Sequence, residues 1–392
     1  MMAEKIPSAI GAELRARFQQ VFDGVPCLFR APGRINLLGE HTDYNDGFVL
    51  PAALELAVWT AIAPRADRRL RVRSLAMDSM TEFDLDDFAP SPDGNWSDYV
   101  HGVAIMLKRA GHQLVGADLM IDGDLPMGAG LSASAALEVS VGYALLAVSG
   151  LDVDRIDLAK ICHRAENDFV GARCGIMDQF ISCCAIKGAA LLLDCRSLEF
   201  RAITIDQNAR LMVCDTMVRH ELASSEYNLR RAECERAVAL LSKQLNHATA
   251  LRDVTAEQLS HHAALLPETL FRRARHVVSE NARTLRAAAA LEAGDLSECG
   301  RMMDSSHASL RDDYEVSCPE LNLMVELTHG LPGVYGSKMM GGGFGGSTIN
   351  LVDAQRVDRF IETVAKGYKN ATGVTPSIFC CVPGPGAGPV CS

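Results

Sequence analysis

The chain has no Cys-x-x-Cys pair, no Walker A sequence and no run of 18 apolar residues. The first absence speaks against a zinc ribbon or thioredoxin-like site, the second against a P-loop kinase, and the third against a membrane span. Basic residues are also short, 38 against 49 acidic, for a net charge of −11. A non-specific nucleic-acid binder needs a basic face, so neither nucleic acid nor membrane is an expected partner. A small anionic ligand is still allowed, because one site can be locally positive. The thirteen cysteines are odd in number and irregularly spaced, with adjacent pairs at Cys183-Cys184 and Cys380-Cys381. No disulfide framework is expected in a chain of 392 residues. The N-terminal stretch mixes charges into a helical pattern without an apolar signal core, so a cytoplasmic protein is expected.

What is present is the material for a large core: 48% hydrophobic residues and 22% charged. At about 150 residues per domain, the length points to two or three domains. Residues 5–22 read as an amphipathic helix, and 27–38 as a strand broken at Pro32-Gly33. Residues 48–63 and the alternating 69–75 read as strands, and the acidic, Pro-rich 79–96 as a loop. A helix is expected over 97–111, a strand at 119–126, and helices over 134–149 and 154–170. Residues 189–206 and 210–217 are strand-like. From 225 to 310 the pattern is helical, and 334–352 is a Gly-rich turn entering a strand. The tail PGPGAGPVCS is expected to fray. A domain boundary is placed near 205.

Four segments carry candidate chemistry. Residues 128–134, GAGLSAS, lie between a strand and a helix. Their glycines allow close backbone approach, and the helix N-terminus favours an anion; the plain alternative is a turn with a serine cap. The same stretch fits G-x-G-x-x-A, with Asp152 as a ribose carboxylate, so a dinucleotide oxidoreductase stays open as a rival. The second segment, GRINLLGEHTDYNDG, sets Arg34, Glu40, His41 and Asp43 within ten residues, a polar set suited to a polyol or a simple turn. The third, GIMDQF, holds Asp178 among apolar neighbours, with Glu166 upstream. The fourth, KMMGGGFGGST, is a ligand-facing loop or a hairpin. Lone His276 and His307 on helices read as structural, and Trp96 as packing or stacking.

Together these segments resemble the galactokinase family. GRINLLGEHTDY resembles the family signature, while PMGAGLSASAALE and KMMGGGFGGST resemble the second and third motifs of the wider superfamily of galacto-, homoserine, mevalonate and phosphomevalonate kinases. CGIMDQF, SSEYNLRR, RARHVVSE and SLRDDYEVSCPEL are similar to galactokinase segments, and the likeness runs from about residue 20 to 382.

The resemblance implies an α+β, two-domain small-molecule kinase fold with the active site in the cleft between domains 1–205 and 206–392. It implies transfer of the ATP γ-phosphoryl group to the C1 hydroxyl of α-D-galactose, giving galactose 1-phosphate and ADP at the entry to the Leloir pathway. By matching positions, Asp178 faces the O1 hydroxyl with Arg34 as its cationic partner. Glu40, His41, Thr42, Asp43, Asp178 and Tyr227 fall at substrate positions. Gly128, Ala129, Gly130, Leu131, Ser132, Ala133 and Ser134 form the phosphate loop, with Trp96 on the adenine side. Ser134 and Glu166 are the implied Mg²⁺ ligands, ATP and galactose the partners, and a monomer the expected state. One departure is Ala133, where family members often carry a serine between two others. Another sugar, or a non-enzymatic sensor on the same fold, are the alternatives.

Overall fold

The computed structural model describes residues 7–86, 95–126, 128–219 and 223–390. The chain opens with α1 (Pro7–Val21), β1 (Cys27–Asn36), β2 (Phe48–Val49), β3 (Pro51–Pro64), β4 (Arg69–Ser74) and β5 (Ser79–Asp84). Next come α2 (Ser97–Arg109), β6 (Ala117–Gly123), α3 (Ala133–Val148), α4 (Arg155–Arg164), α5 (Met177–Cys184), β7 (Ala189–Asp194) and β8 (Phe200–Thr204). The second part holds β9 (Ala209–Asp215), α6 (Ala223–Leu241), α7 (Ala256–His261), α8 (Glu268–Glu292), α9 (Leu296–Asp312) and α10 (Pro319–Glu326). It ends with β10 (Val334–Met339), β11 (Ser347–Asp353), α11 (Val357–Thr372), β12 (Ser377–Cys381) and β13 (Gly388–Pro389).

One sheet has the order β13-β1-β3-β6-β4-β5, with β4 and β6 parallel and its other pairs antiparallel. Its two faces are covered differently. α1 and the residue after it present Ile10, Leu14, Phe18 and Phe22, four residues apart, to Leu28, Trp59, Ala61 and Met120 on one face. Each fully buried side chain of this kind contributes about 1.5–3 kcal/mol. On the other side α3, rich in alanine, valine and leucine, packs against β1 and β3. A three-stranded sheet, β2-β7-β8, and a four-stranded one, β10-β11-β9-β12, complete the strands. The chain passes to the four-stranded sheet between Thr204 and Ala209, and β13 returns it to the six-stranded one.

Three expectations need correction. Residues 79–84 are a strand, not loop, because Ser79, Thr81 and Phe83 alternate with more exposed neighbours on a sheet edge; residues 87–94 of that segment lie outside the described part. The helix expected over 154–170 is interrupted: α4 gives way to a π-helical turn at Ala165–Val170, closed by Gly171. The tail does not fray. Gly384, Gly386 and Ala387 donate backbone N–H groups to Ala53, Ala185 and Ser182 carbonyls at 2.9, 3.0 and 2.7 Å, and β13 pairs with β1. Cys391 and Ser392 are outside the described residues.

Candidate active site

The break at Pro32-Gly33 is a bulge in the β1–β3 pairing, with the register shifting between Pro32 and Arg34. Glycine is required there: a Cβ on Gly33 would stand 2.4 Å from Leu125 and 2.6 Å from the Leu131 carbonyl. The close approach brings Arg34 to the 128–134 loop, where its backbone N–H donates to Leu131 O at 3.0 Å. Its side chain then reaches α5. Arg34 Nε and Nη2 donate to the two Asp178 carboxylate oxygens at 2.8 and 2.9 Å, and Nη1 donates to Gly130 O. This fork-to-fork pair fixes both groups in one plane.

The carbonyls of the loop are taken up by protein donors. Ala129 O accepts from Ser347 Oγ at 2.8 Å, while Gly130 and Leu131 accept from Arg34. Ser132 sits in the left-handed region at φ 60 and caps α3 without a side-chain cap bond; its hydroxyl donates to Asp178 instead. The orphan N–H groups at the start of α3 are therefore suited to receive an anion without competition from a side-chain cap. Ala133 begins the helix, and Ser134 is hydrogen-bonded to Glu166. Arg219, which sequence reading missed, pairs with Asp215 at 2.6 and 2.8 Å and lies against Gly128.

Glu166 stands in the π-turn, a feature frequent at functional sites. Burial raises its pKa, and the nearby Asp178 charge adds to the rise. Gln179 Nε2 donates to Glu166 at 2.5 Å and to the fully buried Glu138 at 3.0 Å. A hydroxyl and a carboxylate within hydrogen-bonding reach of each other, beside an anion cradle, fit Mg²⁺, which takes oxygen ligands and few from protein.

The 39–47 loop forms the opposite wall. Thr42 Oγ1 is fully buried and lies 2.8 Å from both Gly39 O and Phe48 O, so its hydroxyl holds the turn itself. Asp43 accepts from Tyr44 N at 3.0 Å; burial, then repulsion from Asp178, raises its pKa to about 6. His41 contacts the Tyr227 ring at 5.3 Å between centroids, and burial lowers its pKa to about 3. Glu40 and Lys338 form an ion pair at 2.5 Å with almost no exposure, joining the first motif to the fourth segment. Trp96 directly precedes α2: its indole N–H donates to Ser79 Oγ at 2.8 Å and its ring packs on the main core.

Helix α8 supports the loop from below, which sequence reading also missed. His276 meets Glu40 O at 3.1 Å, Glu280 accepts from Gly39 N at 3.0 Å, and Asn281 Oδ1 accepts from Phe48 N at 2.9 Å. The available signal was His276, Glu280 and Thr284, polar residues four apart and all buried on an otherwise amphipathic helix. His276 and His307 are structural as expected: they bond Ser309 Oγ at 2.9 Å and Met339 N at 3.3 Å.

The dinucleotide alternative fails on geometry. Asp152 follows the far end of α3, about 24 Å along the helix axis from the glycines. Its carboxylate accepts from the next residue's N–H, at 3.0 Å.

The chain is similar to known proteins along most of its length. A galactokinase galactose-binding signature matches residues 16–64, and GHMP kinase N- and C-terminal domains match 98–185 and 287–370. Galactokinase from Chloroflexus aurantiacus is 50% identical over 374 residues, covering 95% of this chain and 96% of that one. Galactokinase from Roseiflexus sp. is 48% identical over 379 residues, covering 96% and 97%. The crystal structure of Lactococcus lactis galactokinase complexed with galactose superposes with a TM-score of 0.94 at 35% identity, covering 97% of this chain and all of that one. The chain belongs to the galactokinase family, the ATP-dependent sugar kinases that carry these GHMP kinase domains.

Proposed function

We propose that this kinase moves the γ-phosphoryl group of ATP onto the C1 hydroxyl of α-D-galactose, with Asp178 and Arg34 as its catalytic pair. The observation that carries this is the bidentate Arg34–Asp178 contact, set against Gly130 and Ser132 at the N-terminus of α3. Asp178 receives the O1 proton as the O1–phosphorus bond forms and the bond to the bridging oxygen breaks, releasing ADP. Arg34 holds Asp178 in place through the bidentate contact and stabilises charge on the transferring group. The loop N–H groups cradle the phosphates. Ser134 and Glu166 are the residues that would hold Mg²⁺, which supplies neutralisation of phosphate charge when bound. Asp43, His41, Glu40 and Tyr227 read the sugar, with Thr42 holding the turn that presents them. We place Trp96 at the adenine side only through its position beside α2.

The domain division at about 205, a monomeric state and a cytoplasmic location belong to the same proposal. The change of sheet after Thr204 supports the first, and the twelve described cysteines, all free thiols, support the last.

The test is ATP consumption with Mg²⁺ across galactose, glucose, N-acetylgalactosamine, arabinose and no sugar, with the product identified by phosphorus NMR. Turnover strongest with galactose, yielding an anomeric phosphate and lost on chelation, is expected. Preference for another sugar would overturn the substrate, and no turnover in folded protein would overturn the activity.

A further inference from the structure

A chain of hydrogen bonds runs from the 39–47 loop into the second part of the molecule, and its proton directions are fixed. His41 Nε2 lies 3.2 Å from Gly342 O. A carbonyl only accepts, so the proton sits on Nε2. Burial, followed by the nearby His276 and Arg230, disfavours the cation, so Nδ1 is bare and accepts. Its donor is the Tyr44 hydroxyl, at 2.8 Å. With that proton committed, the Tyr44 oxygen receives the Tyr314 hydroxyl at 2.9 Å. Tyr314 in turn receives the Cys234 thiol at 3.1 Å. The rings are packed as well as bonded: His41 lies 4.7 Å from Tyr314 and 5.3 Å from Tyr227, and Tyr44 lies 5.4 Å from Tyr227.

We propose that the Tyr44 hydroxyl is a positioning group for the sugar pocket, holding His41 by Nδ1 in the Nε2–H tautomer that the Gly342 carbonyl selects and so tying the 39–47 loop to the glycine turn at Gly342. The same residue orients the pocket through its backbone, since Tyr44 N donates to Asp43. Removing the hydroxyl leaves a buried Nδ1 without a donor. His41 can then satisfy Nδ1 only by turning its ring toward another donor, and that move breaks the link to Gly342. The Tyr314 hydroxyl is one step further out; without it Tyr44 still donates to His41. This inference rests on reading the 39–47 loop as the sugar wall.

Nitrogen-15 NMR of histidine in the full-length wild type reads the tautomer, and steady-state kinetics of Tyr44→Phe and Tyr314→Phe read its consequence. The expected wild-type spectrum has His41 Nδ1 unprotonated and Nε2 protonated. Tyr44→Phe should raise the KM for galactose about tenfold, the scale of an unmade buried hydrogen bond, while the KM for ATP stays put. Tyr314→Phe should lower the melting temperature with a smaller change in galactose KM. A merely structural role would move stability without this split. A wild-type His41 protonated on Nδ1 overturns the proposal, and so does a folded Tyr44→Phe enzyme with unchanged galactose KM. If Tyr44→Phe does not fold, the wild-type spectrum still decides. A wild type that ignores galactose would instead overturn the sugar-wall reading, leaving the spectrum to judge the tautomer.

Discussion

A Cβ on Gly175 would stand 2.1 Å from Asp43 Oδ2, so the glycine three residues before Asp178 leaves the space that Asp43 occupies. Two segments more than 130 residues apart thereby bring Asp43 and Asp178 into one pocket, close enough that the Asp178 charge raises the Asp43 pKa. Gly175→Ala should force Asp43 to retreat. The expected result is a loss of about 10- to 100-fold in kcat/KM for galactose, the scale of a misplacement near 1 Å. ATP binding, measured by calorimetry, should hold.

The raised pKa of Asp43, about 6, has a consequence for activity. The folded state favours its neutral form, so the carboxylate that accepts a sugar hydroxyl is lost as pH falls through 6. The groups facing it are Asp178, which raises the value, and Arg34, Arg231 and Tyr44 N, which lower it. The log of kcat/KM for galactose should fall below pH 6 with a slope near one per pH unit, about tenfold. Asp43→Asn should remove that limb and leave a low, flatter profile.

The Glu40–Lys338 pair is buried on both sides. Lys338→Met strands the Glu40 charge, and the expected loss in urea unfolding is about 3–5 kcal/mol. Adding Glu40→Gln should recover part of it, because the uncompensated charge goes too. A double-mutant cycle with no coupling would show that the two groups do not share their burial cost.

Histidines kept neutral inside the fold make it acid-sensitive. Burial lowers His276 and His307 to about 4, and His41 to about 3. Once unfolded, each takes up a proton near 6.5, so stability is lost as pH falls from 6.5 toward 4, by up to about 3 kcal/mol for a residue such as His276. Asp43 acts in the opposite sense, since its folded state takes up a proton first, from about 6 downward. Glu40, Glu138 and Glu166, whose pKa values burial raises, act with Asp43, while Glu280, lowered to about 2 by Arg283 and His276 against its burial, adds to the loss below 4.5. The histidine share is read by comparison: the melting temperature of His276→Gln should fall less than that of the wild type between pH 6.5 and 4.5.

Much of this was legible in the sequence because it is local. RLRVRS alternates with a period of two and folds as β4, with Leu70, Val72 and Ser74 inward. The four apolar residues of α1 follow helical spacing. Arg34, Glu40, Asp43, Ser134, Glu166 and Asp178 were named from motifs, and the fold sets Arg34, Ser132 and Asp178 together. What was not legible depends on distant partners. Glu280 matters because Gly39, 241 residues away, needs an acceptor. Gly175 matters because of Asp43. The tail was misread because its anchoring uses backbone N–H groups and the buried Ala387, which leave no hydrophobic period. The π-turn at Glu166 was invisible for a related reason: residues 154–170 have helical composition throughout, and only the ladder offset changes.

The most direct test of the account is the turnover number of Asp178→Ala with saturating galactose and Mg-ATP, alongside circular dichroism and ATP binding. The Arg34–Asp178 fork predicts a folded protein that binds ATP and phosphorylates galactose at less than about a thousandth of the wild-type rate, the range of a lost base or charge partner. A folded variant turning over within about tenfold of wild type, smaller than the usual contribution of a general base, would show that Asp178 does not accept the proton.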